Sequence, residues 1–350
     1  MTVDEKYMYR CIELARLGRG EVAPNPMVGA VVVYQGRIIG EGFHREYGGP
    51  HAEVNAINSV KNRDLLPQST LYVNLEPCSH FGKTPPCCDL IIRSKIPRVA
   101  VGITDCYSQV CGAGIERLRA AGTEVKTDIL HDECMELNRM FFTFHLKKRP
   151  YVVLKWAQTA DGFIDRERLP QEWGTPTTVS NPLSHIVVHR DRTTSGATLT
   201  GTNTALHDNP RLSVRLWCGR QPLRAVLDRT GRLPRSLNLF DGSIPTLIFT
   251  NLDTHTAPLP NVEFIKLDFH ANILQQMLTA FHERNIQSIV VEGGQQLLQS
   301  FIDAGCWDEA HIYTGATWFG RGICAPRLSA RPCAVEMLDD TQLAVFRNGE

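Results

Sequence analysis

The sequence has no excess of charge of either sign. Lys plus Arg and Asp plus Glu both number 37 among the 350 residues, so the formal net charge is zero. Binding a nucleic-acid backbone requires a surplus of basic side chains, and this chain has none. We therefore expect the partner to be a small-molecule substrate and not a nucleic acid.

The chain also lacks the patterns of targeting and of membrane insertion. Its first residues, MTVDEKYMYR, do not show the basic and then apolar order of a signal peptide, and no apolar run is long enough to cross a bilayer. These absences predict a cytoplasmic protein without a membrane partner. In that compartment the 11 cysteines are not expected to form a disulfide framework, and most should be small buried residues.

Strand and helix patterns alternate along both halves of the chain. Residues 28–33 are typical of a buried strand, and residues 52–60 are typical of a helix. A basic run at residues 147–149 separates the two halves, and the length suffices for two cores. We predict two α/β domains, residues 1–149 and residues 150–350.

One histidine, one glutamate and two cysteines stand out in the first half. They are His51 and Glu53 in HAE, and Cys78 and Cys87 in LEPCSHFGKTPPC. Three protein ligands leave the fourth position of a zinc ion open for water, whereas four ligands only hold a fold. We predict that His51, Cys78 and Cys87 bind one Zn²⁺. Glu53 is then free to accept the proton of the zinc-bound water, whose pKa zinc lowers to about 7.

A structural zinc site is the alternative interpretation of these residues. It requires a fourth protein ligand, for which Cys88 or His80 is available, yet neither would explain the free Glu53. Because a fourth ligand is available, a zinc-stabilised binding module without turnover stays an open alternative. The Glu53→Gln variant separates the two hypotheses, because only an enzyme has activity to lose.

The order H-x-E and then P-C resembles the signature of the zinc deaminases that act on nucleosides and bases. The eight residues between Cys78 and Cys87 are typical of one branch, the pyrimidine deaminases of bacterial riboflavin biosynthesis. The whole chain is similar to the RibD family, in which a deaminase precedes a reductase. The resemblance implies a cytidine-deaminase-like α/β/α domain followed by a dihydrofolate-reductase-like α/β domain.

Three ordered segments in the second half carry the similarity to the reductase. They are KWAQTADG from Lys155, TALHDNPRLSVR from Thr204, and EGG from Glu292. The EGG segment lies between a predicted strand and a predicted helix, where backbone amides can bind a phosphate. The dinucleotide fingerprint G-x-G-x-x-G is absent, so a plain glycine turn is the stronger explanation of this segment from spacing alone.

The resemblance implies two successive reactions. The first hydrolyses the ring amine of 2,5-diamino-6-ribosylamino-4(3H)-pyrimidinone 5′-phosphate, and the second reduces the ribosyl group to ribityl with NADPH as the hydride donor. The resemblance also implies a homo-oligomer. Two alternatives stay open: a zinc deaminase whose reductase domain is not catalytic, and a deaminase of nucleic-acid bases.

The resemblance further assigns roles to individual residues. In the deaminase it implies substrate contacts at Asn25, His44, His80 and Lys83. In the reductase it implies substrate contacts at Arg190, Leu212, Arg215 and Glu292. It implies cofactor contacts at Gln158, Thr204, Asp208, Gly293 and Gly294, with Asp208 also a catalytic residue. Polar loop residues such as the first four can equally be ordinary exposed side chains.

The sequence departs from the family pattern in three places. Asp105-Cys106-Tyr107-Ser108 replaces D-P-N-P, which puts one contact to the ribose phosphate in question. Thr178 stands where relatives have a tryptophan, and Trp173 lies further back. Residues 316–320 (ATWFG) replace P-K-x-x-G. The last two departures concern the expected cofactor pocket.

Overall fold

The computed structural model describes residues 1–80, 85–106, 112–253 and 259–349. The chain divides into two compact units, Met1–Lys148 and Arg149–Glu350. Each unit has its own hydrophobic core around a sheet, and the α/β class predicted for both halves is confirmed. Over the described ranges, none of the helices combines the length and the apolar character needed to span a bilayer.

The first unit is built on a five-stranded sheet. Its strands are β1 (Gly29–Tyr34), β2 (Arg37–Phe43), β3 (Thr70–Leu75), β4 (Arg98–Ile103) and β5 (Glu124–Lys126). The spatial order is β2-β1-β3-β4-β5. β1 is antiparallel to β2 and β3, whereas β3, β4 and β5 run parallel. The carboxyl ends of β3 and β4 therefore meet at one edge of the sheet.

Helices cover both faces of this sheet. They are α1 (Val3–Arg16), α2 (Ala52–Ser59), α3 (Cys87–Arg93), α4 (Ala113–Ala120), α5 (His131–Leu137) and α6 (Arg139–Lys147). α1 begins with a capping box, in which Thr2 and Glu5 satisfy each other's backbone amides. Gly29 allows α1 to lie close to β1, because an added Cβ would lie 2.1 Å from the carbonyl oxygen of Cys11. Valine-rich β1 packs against both layers, because Val31 and Val33 belong to one core cluster and Val32 to the other.

The second unit is built on a nine-stranded sheet, with a two-stranded ribbon beside it. Its strands are β6 (Tyr151–Gln158), β7 (Phe163–Asp165), β8 (Ala197–Gly201), β9 (Leu223–Leu227), β10 (Thr246–Thr250), β11 (Val262–Lys266), β12 (Ser288–Val291), β13 (Glu309–Thr314), β14 (Ile323–Cys324), β15 (Pro332–Leu338) and β16 (Thr341–Arg347). The order in the large sheet is β11-β10-β9-β8-β12-β6-β13-β16-β15, and β14 pairs with β7. All neighbours from β11 to β13 are parallel, while the pairs β13 with β16 and β16 with β15 are antiparallel.

The helices of the second unit join these parallel strands. They are α7 (Pro182–Arg192), α8 (Thr202–Asp208), α9 (Ile273–Glu283) and α10 (Gln295–Asp303). Short 3₁₀ turns lie at Arg63–Gln68 in the first unit and at Pro170–Glu172 and Asn238–Phe240 in the second. α8 follows β8 directly, and α10 follows β12 after a glycine turn. Both helices therefore begin at the carboxyl edge of the parallel strands, where α/β sheets bind their ligands.

Candidate active sites

His51, Cys78 and Cys87 converge at the edge of the first sheet. His51 immediately precedes α2, Cys78 follows β3, and Cys87 begins α3. Nδ1 of His51 lies 3.5 Å from Sγ of Cys78 and 3.3 Å from Sγ of Cys87. All three ligand atoms lie within 4.8 Å of one another. The structure thus brings the three predicted ligands together around one point.

The donor set fits zinc. Two sulfurs and one imidazole nitrogen are ligands that zinc accepts, and a set of three leaves one coordination position open. The hydrogen bond with Cys78 raises the pKa of His51 to about 9, because the sulfurs favour positive charge at that nitrogen. Hydrogen bonds from Cys87 and His51 lower the pKa of Cys78, which makes a thiolate available.

Neither of the two side chains considered for a fourth ligand joins this cluster. Cys88 is buried, and its thiol donates to the carbonyl oxygen of Pro77 at 3.3 Å. His80 is exposed. In the parts of the chain that the structure describes, the metal-ligand cluster consists of three residues. The closed, purely structural zinc site is therefore disfavoured.

Glu53 lies in the first turn of α2, two residues after His51. Its side chain is buried, and burial raises the pKa of Glu53 to about 7. A carboxyl group with a pKa near neutral pH can both accept and return a proton. The position and the environment of Glu53 thus fit the proton shuttle that the motif predicts.

Asn25 and His44 form a hydrogen-bonded pair beside the cluster. Nδ1 of His44 lies 3.0 Å from the carbonyl oxygen of Pro50, and Nε2 lies 3.0 Å from Nδ2 of Asn25. Because the carbonyl only accepts, Nδ1 carries the hydrogen, and Nε2 accepts from the amide of Asn25. The His44 ring meets the His51 ring edge-on, with centroids 5.4 Å apart. Both predicted contacts therefore lie at the site, whereas Lys83, like Tyr107, is outside the described residues.

Glu76 is a buried residue of this region that sequence reasoning missed. Its carboxylate accepts hydrogen bonds from the backbone N–H groups of Asp105, Gly112, Gly114 and Ile115, at 2.8–3.3 Å. Glu76, which directly precedes Pro77 and Cys78, thereby connects the end of β4 and the start of α4 to the metal-ligand segment. Its position directly before Pro77-Cys78 was the available sequence signal, but the ligand motif assigns a role only to the cysteine.

The second unit contains a cleft of about 710 Å³ at the carboxyl ends of its parallel strands. Seven of the predicted reductase residues line it, namely Thr204, Asp208, Leu212, Arg215, Glu292, Gly293 and Gly294. They come from α8, from the segment after α8 and from the turn after β12, and this turn is far from the other two in sequence. Parallel pairing of β8 with β12 brings these segments together.

The glycine turn at Gly293 and Gly294 forms part of the cleft wall in front of α10. Gly293 has φ +121°, a backbone conformation that favours glycine, and its carbonyl accepts from the backbone N–H of Gly201 at 2.9 Å. A Cβ on Gly294 would lie 3.0 Å from Oγ1 of Thr204. The amino terminus of α10 thus borders the cleft with the Thr204 hydroxyl beside it, which fits a phosphate group of a dinucleotide.

On the substrate side the structure places one predicted residue outside the cleft lining. Arg190 does not line the cleft; its side chain is about half exposed and pairs with its neighbour Asp191. Arg192, two residues further along α7, lines the cleft and holds Glu292 through two hydrogen bonds of 2.6 and 2.5 Å. Two residues turn a helix by about 200°, so these arginines lie on opposite faces.

A second prediction, Gln158, also lies outside the cleft lining. Its side-chain oxygen accepts the indole N–H of Trp156 at 2.8 Å, while Ala157 lines the cleft in its place. Thr178, at the position where relatives have a tryptophan, does line the cleft. Trp173 does not line it and stacks on His207 with ring centroids 4.6 Å apart.

Positive charge is concentrated on the substrate side of the cleft. Desolvation and the charges of Arg192 and Arg211 lower the pKa of Arg215, and Glu292 offsets only part of that repulsion. Lys155 lies nearby, with Nζ 5.7 Å from the ring centroid of Tyr313. Three arginines, one lysine and one carboxylate leave a net positive wall, which suits an anionic group of a ligand.

Comparisons with known proteins match both halves of the chain. The cytidine and deoxycytidylate deaminase zinc-binding region matches residues 1–103, and the RibD C-terminal domain matches residues 150–331.

Two curated relatives cover almost the whole chain. The riboflavin biosynthesis protein RibD of Bacillus amyloliquefaciens is 39% identical over 333 residues, which are 93% of this chain and 88% of that protein. The RibD protein of Aquifex aeolicus is 37% identical over 332 residues, 94% of this chain and 91% of that protein.

Two solved structures are similar to this chain over 99% of its length. The diaminohydroxyphosphoribosylaminopyrimidine deaminase/5-amino-6-(5-phosphoribosylamino)uracil reductase of Thermotoga maritima is 39% identical, with a TM-score of 0.88 and 99% coverage of both chains. RibD of Acinetobacter baumannii is 29% identical, also with a TM-score of 0.88 and 99% coverage of both chains.

Proposed function

The chain belongs to the RibD family and is a bifunctional deaminase and reductase of riboflavin biosynthesis; on this premise we propose substrates, a hydride donor and residue roles. The first unit hydrolyses the ring amine of 2,5-diamino-6-ribosylamino-4(3H)-pyrimidinone 5′-phosphate. The second unit then reduces the ribosyl group to ribityl with NADPH. The observation that carries the deaminase is the three-ligand cluster with the buried, unligated Glu53.

In the deaminase, His51, Cys78 and Cys87 would hold the zinc ion. When bound, zinc makes hydroxide available near neutral pH, with a water pKa of about 7. Glu53 accepts the proton at its carboxylate and returns it to the departing amine, for which a pKa of about 7 suits both directions. Asn25, oriented by His44, contacts the pyrimidine edge, and His80 and Lys83 contact the ribose phosphate.

In the reductase, Thr204, Gly293 and Gly294 contact the cofactor and the amino terminus of α10 receives its pyrophosphate. Bound NADPH supplies a hydride. Leu212, Arg215 and Glu292 contact the substrate, and Arg192 replaces Arg190 in this set because Arg192 lines the cleft.

Asp208 lies beside the carbon that receives the hydride. Opening of the ribosylamine gives that carbon positive character, and a carboxylate held next to it stabilises the charge as it develops. This electrostatic role is the reason for counting Asp208 as a catalytic residue.

The test is a coupled assay on the purified, zinc-loaded protein with the diaminopyrimidinone ribosyl phosphate. Release of ammonia together with loss of NADPH absorbance is the expected result. Ammonia without NADPH oxidation would leave a deaminase with a non-catalytic second unit. Oxidation of NADH as fast as NADPH would overturn the choice of hydride donor.

The resemblance also leads us to expect a homo-oligomer in the cytoplasm. Light scattering of the purified protein tests the assembly, and a single-subunit mass would contradict it. Deamination of single-stranded RNA or DNA at a comparable rate would favour the alternative of a nucleic-acid base deaminase.

A further inference from the structure

Arg168 is a buried arginine beside the reductase cleft, in the segment that follows β7. Its side chain is 2% exposed. Nη2 donates to Oδ1 of Asp208 at 2.5 Å and to Oδ2 of Asp165 at 2.6 Å, while Nε donates to the same Asp165 oxygen at 3.0 Å. One guanidinium therefore joins the end of β7 to the last residue of α8.

The backbone around Asp208 is held by the same side chain. Nη1 of Arg168 donates to the carbonyl oxygens of Thr175 at 2.6 Å and His207 at 3.1 Å. The carbonyl of His207 also accepts from the backbone N–H of Gly174 at 2.8 Å, and the ring of Trp173 stacks on the His207 ring. The segment around residues 168–175 thus fixes the main chain immediately before Asp208 as well as its carboxylate.

These contacts carry a physical consequence. A buried guanidinium is costly unless its donors and its charge are satisfied, and Arg168 is satisfied only while Asp208 and Asp165 keep their positions. α8 is short, and the residue after it, Asn209, adopts φ +42°, so the helix itself ends at Asp208. The orientation of the Asp208 carboxylate therefore depends on Arg168 more than on its own helix.

We propose that Arg168 is a positioning residue of the reductase, which holds the Asp208 carboxylate ionised and aimed into the cleft. The inference rests on the proposed role of Asp208 in the second reaction. Arg168 itself acts through Asp208, and Asp165 is the second anchor that fixes the guanidinium.

The charges around Asp208 make the proposal testable by pH. Burial raises the pKa of Asp208; Arg168 and His207 lower it, and Asp165 raises it. Removing the Arg168 charge leaves burial and Asp165 less opposed, so the pKa of Asp208 rises further. If turnover requires the carboxylate, the acid limb of the reductase pH profile moves to higher pH, which a general loss of packing does not cause.

The experiment compares Arg168→Met and Arg168→Lys with Arg166→Met in the full-length protein. Arg166 is a matched control in the same segment, because its side chain is 56% exposed and pairs with Glu172 on the surface. We expect Arg168→Met to lower the reductase kcat by about 10- to 100-fold, since misplacement of a reacting group by about 1 Å has an effect of this size. Arg168→Lys should recover part of the rate and of the pH profile, and Arg166→Met should behave like wild type.

Two further measurements separate the possible failures. The deaminase rate should stay within about twofold of wild type and the circular dichroism spectrum should be kept in all variants, which reports on folding. In an Asp208→Asn background, Arg168→Met should cause little further loss of turnover, since both changes remove the same Arg168–Asp208 interaction.

Each outcome decides one point. If Asp208→Asn keeps wild-type turnover, the proposed role of Asp208 falls, and the positioning role of Arg168 falls with it. If Asp208→Asn is inactive while Arg168→Met keeps the wild-type rate and pH profile, only the positioning role is overturned. If Arg168→Met loses activity with an unshifted pH profile and an additive loss in the double variant, Arg168 is structural.

Discussion

The two candidate sites of this chain differ in scale. In the first unit, three ligand atoms lie within 4.8 Å of one another, and the residues that supply them come from one stretch of 37 positions, 51–87. In the second unit, a cleft of about 710 Å³ is lined by residues from β6 to β14. A metal ion is small and chemically selective, so few side chains define its site. A dinucleotide and a sugar phosphate contact many residues, so each single residue contributes a smaller part of the binding free energy.

The difference predicts how each site responds to damage. One lost ligand should empty the metal site, whereas one lost contact should only weaken a distributed cleft. Four variants test this contrast, in order of decreasing expected effect.

Adjacent cysteines give the sharpest test of the compact site. Cys87→Ala removes one of three ligands, so we expect bound zinc to fall from about one ion per chain to nearly none, with loss of deamination. Cys88→Ala is the matched control, because Cys88 donates to Pro77 and does not join the cluster. Zinc is measured by atomic absorption after gel filtration. Equal loss of zinc in both variants would contradict the assignment.

Glu53→Gln tests the chemistry of the compact site apart from its metal. We expect deamination to fall by about 10²- to 10⁴-fold, since the amide cannot carry the proton, while zinc content and unfolding temperature are kept. Ammonia release is the measurement. Reduction of the deaminated substrate by the second unit serves as the internal control, and unchanged ammonia release would remove Glu53 from the mechanism.

Arg215→Gln tests the distributed site, where a smaller effect is expected. Removing one charge from the positive wall should raise KM for the phosphorylated substrate by about 10- to 100-fold, because a charge-assisted contact is lost but its neighbours remain. The same variant should lose little with the unphosphorylated riboside. Arg190→Gln is the control, since Arg190 is about half exposed and outside the cleft lining. A larger effect at Arg190 would restore the original prediction.

The smallest effect concerns the acid stability of the second unit. Burial lowers the pKa of His189 to about 4, and its Nδ1 accepts the backbone N–H of Arg215 at 2.8 Å. The unfolded chain therefore binds more protons between pH 6.5 and 4, so stability is complete above about pH 6.5 and falls as the pH drops towards 4.

Calorimetry should show this as a loss of about 5 °C in the Tm of that unit between pH 7 and pH 5. His189→Gln keeps an acceptor without a titrating ring, so it should flatten this part of the curve. An identical slope in the variant would assign the effect to other groups.

The sequence was sufficient for the compact site because its residue types are specific. His51, Cys78 and Cys87 can be predicted from ligand chemistry and a short motif, and the structure brings them together. The motif does not say which way each cysteine side chain points, so only the structure places Cys88 outside the cluster. Glu76 was also out of reach, since its role depends on backbone groups rather than on side chains that a motif can record.

The distributed site shows the opposite limit. Arg190 and Arg192 are equally plausible in a string of residues, and only the phase of α7 decides which one faces Glu292. Arg168 lies in a segment without a family motif, so its contact with Asp208 depends on a loop conformation that no periodicity predicts. The strand β15 is likewise missed, because its residues are exposed up to Met337 and show no alternation of buried and exposed positions.

The carboxylate of Glu76 has a consequence for how this enzyme can change over evolutionary time. It anchors Asp105 and Gly112, the two flanks of residues 106–111, through backbone amides that every residue except proline possesses. Mutations between the anchors therefore do not remove the bonds that secure them. The replacement of D-P-N-P by Asp105-Cys106-Tyr107-Ser108 falls largely between these two anchors. A tether of this kind would let lineages explore new substrate contacts while the catalytic framework is inherited intact.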